Sequence, residues 1–245
     1  MVRQRLDNLL VRRGHYATRS RARDAILRGT VKIAGRVACK PGETADDNVD
    51  VAVRDDARSY VSRAALKLLH GLDRFALSPA GLHALDIGAS TGGFTQVLLE
   101  RGARHVTAID VGHGQLAEAL RADPRVTSHE DLNARDLDAR HFDAPIQFIT
   151  ADVSFISLKL ALAKALALAD QNAKLVALIK PQFEAGRDAL DASGVVRDRL
   201  IHAKVCDDMA AWIAEQGWRV IGIVESSVQG GDGNREFLIA AEKPQ

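Results

Sequence analysis

Little in this chain would staple or anchor it. Its 245 residues include two cysteines, Cys39 and Cys206. They are too few and too far apart in sequence for a disulfide framework, and no cysteine–histidine spacing makes a zinc site. Aromatic residues make up only 4 %. The most apolar stretch, Leu158–Ala169, carries Lys159 and Lys164 and is too short to span a bilayer. No basic leader with an apolar run and a small-residue cleavage site opens the chain, so the cytoplasm is the expected location and no membrane partner is expected. A net charge of +1 gives the whole chain no polyanion-binding character. What is present is ordinary for a globular protein: 47 % apolar and 27 % charged residues. The length permits one large domain, or a medium one with a small appendage.

The charge is unevenly spread. Residues 1–36 hold nine Arg and one Lys against two Asp, a net of +8, which leaves −7 for the remainder. Such asymmetry suggests a basic binding module on a more acidic body, the alternative being a solvated helix face. Leu6, Leu9 and Leu10 recur at helical spacing and predict a helix over Arg5–Arg12, closed by Gly14. Thr18 or Ser20 caps a second helix, Arg21–Leu27, ended by Gly29. Val31–Ile33 and Val49–Val53 read as strands, with a turn at Ala34-Gly35. The module spans about 55 residues, near the lower size at which a domain folds alone. Arg3, Arg5, Arg19, Arg21, Arg23 and Arg28 are its candidate RNA contacts, since each arginine on a phosphate releases counterions. The segment's single aromatic, Tyr16, argues against base stacking and for folded RNA read by shape.

The run Ser20-Arg21-x-x-x-Ala25-Ile26-x-x-Gly29-x-Val31-x-Ile33-x-Gly35 resembles the S4 RNA-binding domain, over residues 3–53. A polar stretch, Arg54–Ser59, is a candidate linker. The expected division is therefore residues 1–58 for the small α+β domain and 59–245 for the body.

Beyond the linker, strands alternate with helices as in a parallel α/β sheet. Strands are predicted at His83–Ile87, His105–Ile109, Ile146–Ala151, Lys174–Ile179, Arg219–Val224 and Phe237–Ala241. Helices are predicted at Val61–Leu69, Thr95–Arg101, Gln115–Arg121, Leu158–Leu168 and His202–Gln216. The turn Gly230-Gly231-Asp232-Gly233-Asn234 joins the last two strands as a hairpin, which makes the final strand antiparallel.

The first of these strands runs into Gly88-Ala89-Ser90-Thr91-Gly92-Gly93-Phe94. Glycines in a strand-to-helix turn let a ligand approach the backbone closely. Asp86 precedes the loop, and Asp110 ends the next strand, where a carboxylate can accept both hydroxyls of a ribose. The loop is neither a Gly-x-Gly-x-x-Gly dinucleotide fingerprint nor a P-loop, because Ser90 replaces the second glycine and no Gly-Lys-Ser/Thr follows. An adenosyl ligand without phosphates, S-adenosyl-L-methionine, suits it better. The bland alternative is a plain tight turn.

Four charged residues sit at informative places. Asp152 follows the strand Ile146–Ala151, and Lys180 follows Lys174–Ile179, so both face the crevice at the carboxyl ends of the strands. Glu236 begins the last strand, and Lys67 lies on the helix before the first. Taken singly, Lys67 could be a solvated helix residue, Glu236 a strand-end charge, Asp152 a helix N-cap and Lys180 a surface lysine.

Longer runs weigh against these alternatives. Asp110-Val-Gly-His-Gly-Gln-Leu, Asp152-Val-Ser-Phe-Ile-Ser-Leu, Leu178-Ile-Lys-Pro-Gln-Phe-Glu-Ala-Gly-Arg, Gly194-Val-Val-Arg-Asp and Gly233-Asn-Arg-Glu-Phe-Leu together resemble the TlyA (hemolysin A) family, across residues 3–242. The resemblance implies an S4 domain joined to a Rossmann-like FtsJ-type methyltransferase domain that methylates the 2′-hydroxyl of cytidine in ribosomal RNA. It implies a Lys-Asp-Lys-Glu tetrad, which falls on Lys67, Asp152, Lys180 and Glu236. It implies a cofactor site at Asp86, Gly88, Ser90, Thr91, Gly92, Phe94, Asp110, Val111, Gly112, Asp131, Leu132 and Asp152. Leu132 departs from the family pattern, which has Thr there. On this reading Lys180 meets the hydroxyl, Asp152 holds Lys180 and faces the cofactor's positive end, and Lys67 and Glu236 orient the ribose. The partner would be ribosomal RNA or a ribosomal subunit. Rival readings are a non-catalytic ribosome-assembly factor, a membrane-active hemolysin and an enzyme acting on another RNA. The presence of all four tetrad residues and the glycine loop opposes the first. The lack of an apolar span or strongly amphipathic surface helix opposes the second.

Overall fold

A computed structural model describes residues 3–230 and 233–245. The chain divides into two compact units, Met1–Ser59 and Tyr60–Gln245.

In the first unit the elements run β1 (Arg3–Arg5), α1 (Leu6–Arg12), α2 (Arg19–Leu27), β2 (Val31–Ile33), β3 (Arg36–Val37), β4 (Thr44–Asp46) and β5 (Val51–Val53). β1 pairs antiparallel with β4, and β2 lies between β3 and β5. Leu6, Leu9 and Leu10 of α1 pack fully buried with Ala22, Ala25 and Ile26 of α2 and Val31 of β2. Burying each such aliphatic side chain contributes roughly 1.5–3 kcal/mol. Thr18 caps α2, its hydroxyl accepting from the Arg21 amide at 3.3 Å. Gly14 and Gly29 follow the two helices at φ +73° and +74°, the left-handed conformation that ends a helix. β1, β3 and β4 were not expected, and Arg5 is in a strand rather than a helix. Strands of two or three residues carry too little alternation to be recognised.

In the second unit follow α3 (Ala64–Phe75), β6 (His83–Ile87), α4 (Gly93–Glu100), β7 (His105–Ile109), α5 (Glu118–Arg121), β8 (Val126–His129), β9 (Ile146–Ala151), α6 (Leu158–Leu168), β10 (Ala169–Ile179), α7 (Pro181–Glu184), α8 (Arg199–Glu215), β11 (Arg219–Glu225) and β12 (Phe237–Glu242). They form a seven-stranded sheet in the order β11-β12-β10-β9-β6-β7-β8. The pairings of β12 with β10 and β11 are antiparallel, and the rest are parallel. One face buries Leu85, Ile149, Leu175 and Ile239 against α6 and α8, and the other buries Phe148, Val176 and Leu238 against α3 and α4. Alternate residues of central strands face opposite layers, so these strands are apolar at most positions rather than alternating.

Several boundaries differ from those expected. β8 was missed because Val-Thr-Ser-His is short, polar and only half-buried at the sheet edge. β10 starts at Ala169 rather than Lys174, with an irregularity before Lys174. α3 runs to Phe75, where Ala76 closes it at φ +53°. α8 begins at Arg199 because the Asp198 carboxylate caps it, accepting from the Leu200 amide at 2.8 Å. α5 is a single turn, since residues 112–116 form a loop. Gly231 and Asp232 of the expected hairpin turn lie outside the described residues.

Candidate active site

The carboxyl edge of the sheet gathers the charged residues singled out above. In register, Ile179 lies opposite Phe237, Ile87 beside Ala151, and Ile109 beside both Ile87 and His129. The residues just beyond these pairs are Glu236, Lys180, Asp152, Gly88, Asp110 and Glu130, one for each successive strand from β12 to β8. Neighbouring strands are roughly 4.8 Å apart, so the edge is a row of functional groups set by backbone pairing alone.

Lys180 and Asp152 form an ion pair, Nζ to Oδ1 at 2.6 Å. Lys180 Nζ also donates to Ser154 Oγ at 2.9 Å. Lys67 reaches the same edge from α3, its Nζ donating to Glu236 Oε2 at 2.6 Å. Lys67, Lys180 and Glu236 are 6 %, 7 % and 3 % exposed. Lys67 is therefore not a solvated helix residue, and Glu236 is not a surface strand end. Two ammonium groups withdrawn from water this far require close carboxylates, and each has one. Asp152 does not cap α6, whose N-cap is Ser157.

The glycine turn forms the opposite wall. Gly88 has φ +79°, and a Cβ there would lie 2.7 Å from the Asp152 carbonyl oxygen, so only glycine lets β6 and β9 continue past each other at this point. The Ser90 amide donates to Asp110 Oδ2 at 2.8 Å, and the Gly112 amide donates to Oδ1 at 2.7 Å. A cavity of about 190 Å3 is lined by Ser62 and Ala64, the turn from Gly88 to Thr91, Gly93 and Phe94, and Asp152, Ser154 and Lys180. Gly92 packs against Leu116 and Leu120, behind the turn.

Asp86, expected to hold the cofactor, is fully buried. Thr95 Oγ1 donates to its Oδ2 at 2.7 Å and Thr150 Oγ1 to its Oδ1 at 3.0 Å. It ties α4 and β9 to β6 from beneath the turn and does not face the cavity. Burial pushes its pKa up to about 6. Val111 is 68 % exposed. Asp131 is exposed and pairs with His113 at 2.9 Å. Leu132 is half-buried, and its amide donates to the Asp110 carbonyl at 3.0 Å.

Three contributors were not singled out from the sequence: Ser154 on Lys180, Glu184 beneath the Asp152 loop, and Glu130. The Glu130 carboxylate accepts from the amides of Gly114, Gln115 and Leu116. These three bonds hold the loop carrying Gly112, and they pull its pKa below the usual range.

The arginines of the first unit divide by role. Arg28 makes paired hydrogen bonds to both oxygens of Asp55 at 2.9 Å and one to Asp24 at 2.8 Å. Arg21 donates to the carbonyls of Ala57 and Arg58 at 3.1 and 3.0 Å. These two hold the unit together, so the structure does not place them as free phosphate contacts. Arg5 and Arg19 share Asp7, and Arg3 leans on Asp46. Burial raises the Asp7 carboxyl, but the two guanidinium groups outweigh it and hold it below the usual range. Arg23 is exposed.

A glycine-turn cavity under the carboxyl edge of a mostly parallel seven-stranded sheet defines a Rossmann-like α/β domain. The family description "FtsJ-like methyltransferase" matches residues 60–243, and "S4 domain" matches residues 4–51. The chain is 43 % identical over 238 residues to the 16S/23S rRNA (cytidine-2′-O)-methyltransferase TlyA of Mycobacterium tuberculosis, covering 97 % of this chain and 89 % of that one. It is 40 % identical over 238 residues to Hemolysin A of Brachyspira hyodysenteriae, covering 96 % and 98 %. A solved structure from Streptococcus thermophilus, described as a candidate hemolysin, superimposes with a TM-score of 0.79 at 41 % identity, over 100 % of this chain and 90 % of that one. The chain belongs to the TlyA (hemolysin A) family of FtsJ-like methyltransferases.

Proposed function

We propose that this protein transfers the methyl group of S-adenosyl-L-methionine to the ribose 2′-hydroxyl of cytidine in ribosomal RNA. The observation that carries the reading is Lys180, held at 2.6 Å by Asp152 and 2.9 Å by Ser154, in the cavity that the glycine turn opens.

The residues fit the cofactor. Asp110 ends β7 beside the turn, and each of its oxygens has accepted one backbone amide, which leaves lone pairs for two ribose hydroxyls. No lysine stands in the turn to meet phosphates, which suits an adenosyl group better than a triphosphate. By the family resemblance Asp131 and Leu132 would hold the adenine, and Asp152, which lines the cavity, would face the positive end. Bound there, S-adenosyl-L-methionine supplies an activated methyl group on a sulfonium.

The chain's own residues align and hold the acceptor. Lys180 donates to Ser154 and is held electrostatically by Asp152, which leaves a donor for the 2′-oxygen. Lys67 and Glu236, paired one strand away, take the neighbouring ribose oxygens. Positioning of this kind supplies up to about 7–11 kcal/mol of a barrier. The S4 unit holds the RNA through its exposed arginines, since phosphate contacts position a protein without reading sequence. Among the described residues, no helix is long and apolar enough to cross a membrane.

Lys180→Ala tests the reading. Methyl incorporation into ribosomal subunits should fall about 100- to 10,000-fold, the range of a lost acid–base group. Calorimetric titration of the cofactor should be little changed. Near-normal turnover would remove Lys180 from the reaction.

A further inference from the structure

The loop that presents Asp152 and Ser154 to Lys180 is itself held by a residue that does not face the cavity. Glu184, on α7, accepts from the Leu158 amide through Oε1 at 2.6 Å and from the Ser157 hydroxyl through Oε2 at 2.7 Å. Leu158 is the first residue of α6, so its amide is one of the donors a helix leaves unmatched, and a carboxylate there is favoured by the helix dipole. The Ser157 side chain makes no capping bond of its own. Glu184 is the cap.

Segments 152–158 and 180–184 are joined at three points. At one end Lys180 meets Asp152 and Ser154. At the other Glu184 meets Ser157 and Leu158. Between them the Phe155 and Phe183 rings lie 5.3 Å apart. Phe155 has φ +65° and is 91 % exposed. A bulky residue persists in that conformation only where its surroundings impose it. Phe155 is exposed, so beyond its contact with Phe183 the constraint comes from the two ends of its loop. Glu184 fixes the second of these ends.

We propose that Glu184 is a positioning residue: by capping α6 and holding Ser157, it keeps the strained loop closed, so that Asp152 and Ser154 stay on Lys180. This rests on the reading of Lys180 given above. Without Glu184 the loop relaxes at Phe155, and the 2.6 Å and 2.9 Å contacts on Lys180 open, while Asp110 and the glycine turn stay in place.

Two variants of the full chain test it, Glu184→Ala and Glu184→Gln, the second keeping one acceptor oxygen. With ribosomal subunits as substrate, kcat should fall about 100-fold for the first and about 10-fold for the second, as displacements near 1 Å do. KM for the cofactor should rise far less than kcat falls, because Asp110 and the glycine turn stay in place while Asp152 shifts, and the melting temperature should fall by only a few degrees, as the loss of one helix cap does. Amide hydrogen exchange across residues 152–158 should speed up in Glu184→Ala, a readout that needs no activity. If the parent methylates and both variants match its kcat, or if exchange in the loop is unchanged, the proposal is overturned. It is also overturned if cofactor affinity falls as far as kcat, or if exchange speeds up throughout the second unit and not only in the loop, which would make Glu184 a general structural residue. If the parent itself transfers no methyl group, the reading of Lys180 fails, and the exchange comparison still decides whether Glu184 closes the loop.

Discussion

At Asp86 a carboxylate lies wholly out of water with Thr95 and Thr150 as its partners. Burial raises its pKa to about 6, against a usual value near 3.9 in an unfolded chain. The folded state therefore holds the proton more tightly than the unfolded one. The contribution to stability is complete below about pH 4 and is lost as pH rises through about 6, a change of about 3 kcal/mol at 1.36 kcal/mol per unit. Asp86→Asn should remove that dependence. Melting curves of parent and variant between pH 4 and 7 check it: the parent's advantage should shrink across the window, and parallel curves would refute it. The residue type and place of Asp86 were legible in the sequence, but not its direction. A carboxylate before a glycine turn reads as a ligand, whereas strand alternation turns this one into the layer beneath, where two threonine hydroxyls meet it.

At the scale of elements, the parallel strands were the most legible feature. Buried largely on both faces, β6, β7, β9 and the second half of β10 are predominantly apolar, and their ends fix where Asp110, Asp152 and Lys180 fall. What escaped was made by long-range pairing or by side-chain caps: β1 with β4, polar β8, and the loops folded around Glu130 and Glu184. No local pattern announces a carboxylate that accepts amides from a segment far away in sequence. Helix α2 shows the same limit. The arginines on it and at its C-cap look alike in the sequence, yet Arg28 is spent on Asp55 and Asp24 while Arg23 stands in solvent. Arg23→Ala should leave melting unchanged and lower the slope of log affinity against log salt for RNA by about 1, as one lost phosphate contact does. Arg28→Ala should instead lower the melting temperature of the S4 unit. Equal effects of the two on the salt slope in a filter-binding titration would contradict this division.

For the molecule as a whole, a basic unit of S4 type and a methyltransferase unit lie on one chain, and the two lysine–carboxylate pairs of the second stand on one edge of one sheet. Register alone brings Glu236, Lys180 and Asp152 to adjacent strand ends, although Glu236 is 169 residues from the lysine it bonds. That separation is why the two pairs could be anticipated through family motifs and not through spacing. The most direct measurement is to treat unmethylated ribosomal subunits with the purified protein and isotope-labelled S-adenosyl-L-methionine, digest the RNA to nucleosides, and identify the labelled product by mass. The account predicts label on the ribose of cytidine with the parent and none with Lys180→Ala. Label on a base, or equal labelling by the variant, would contradict it.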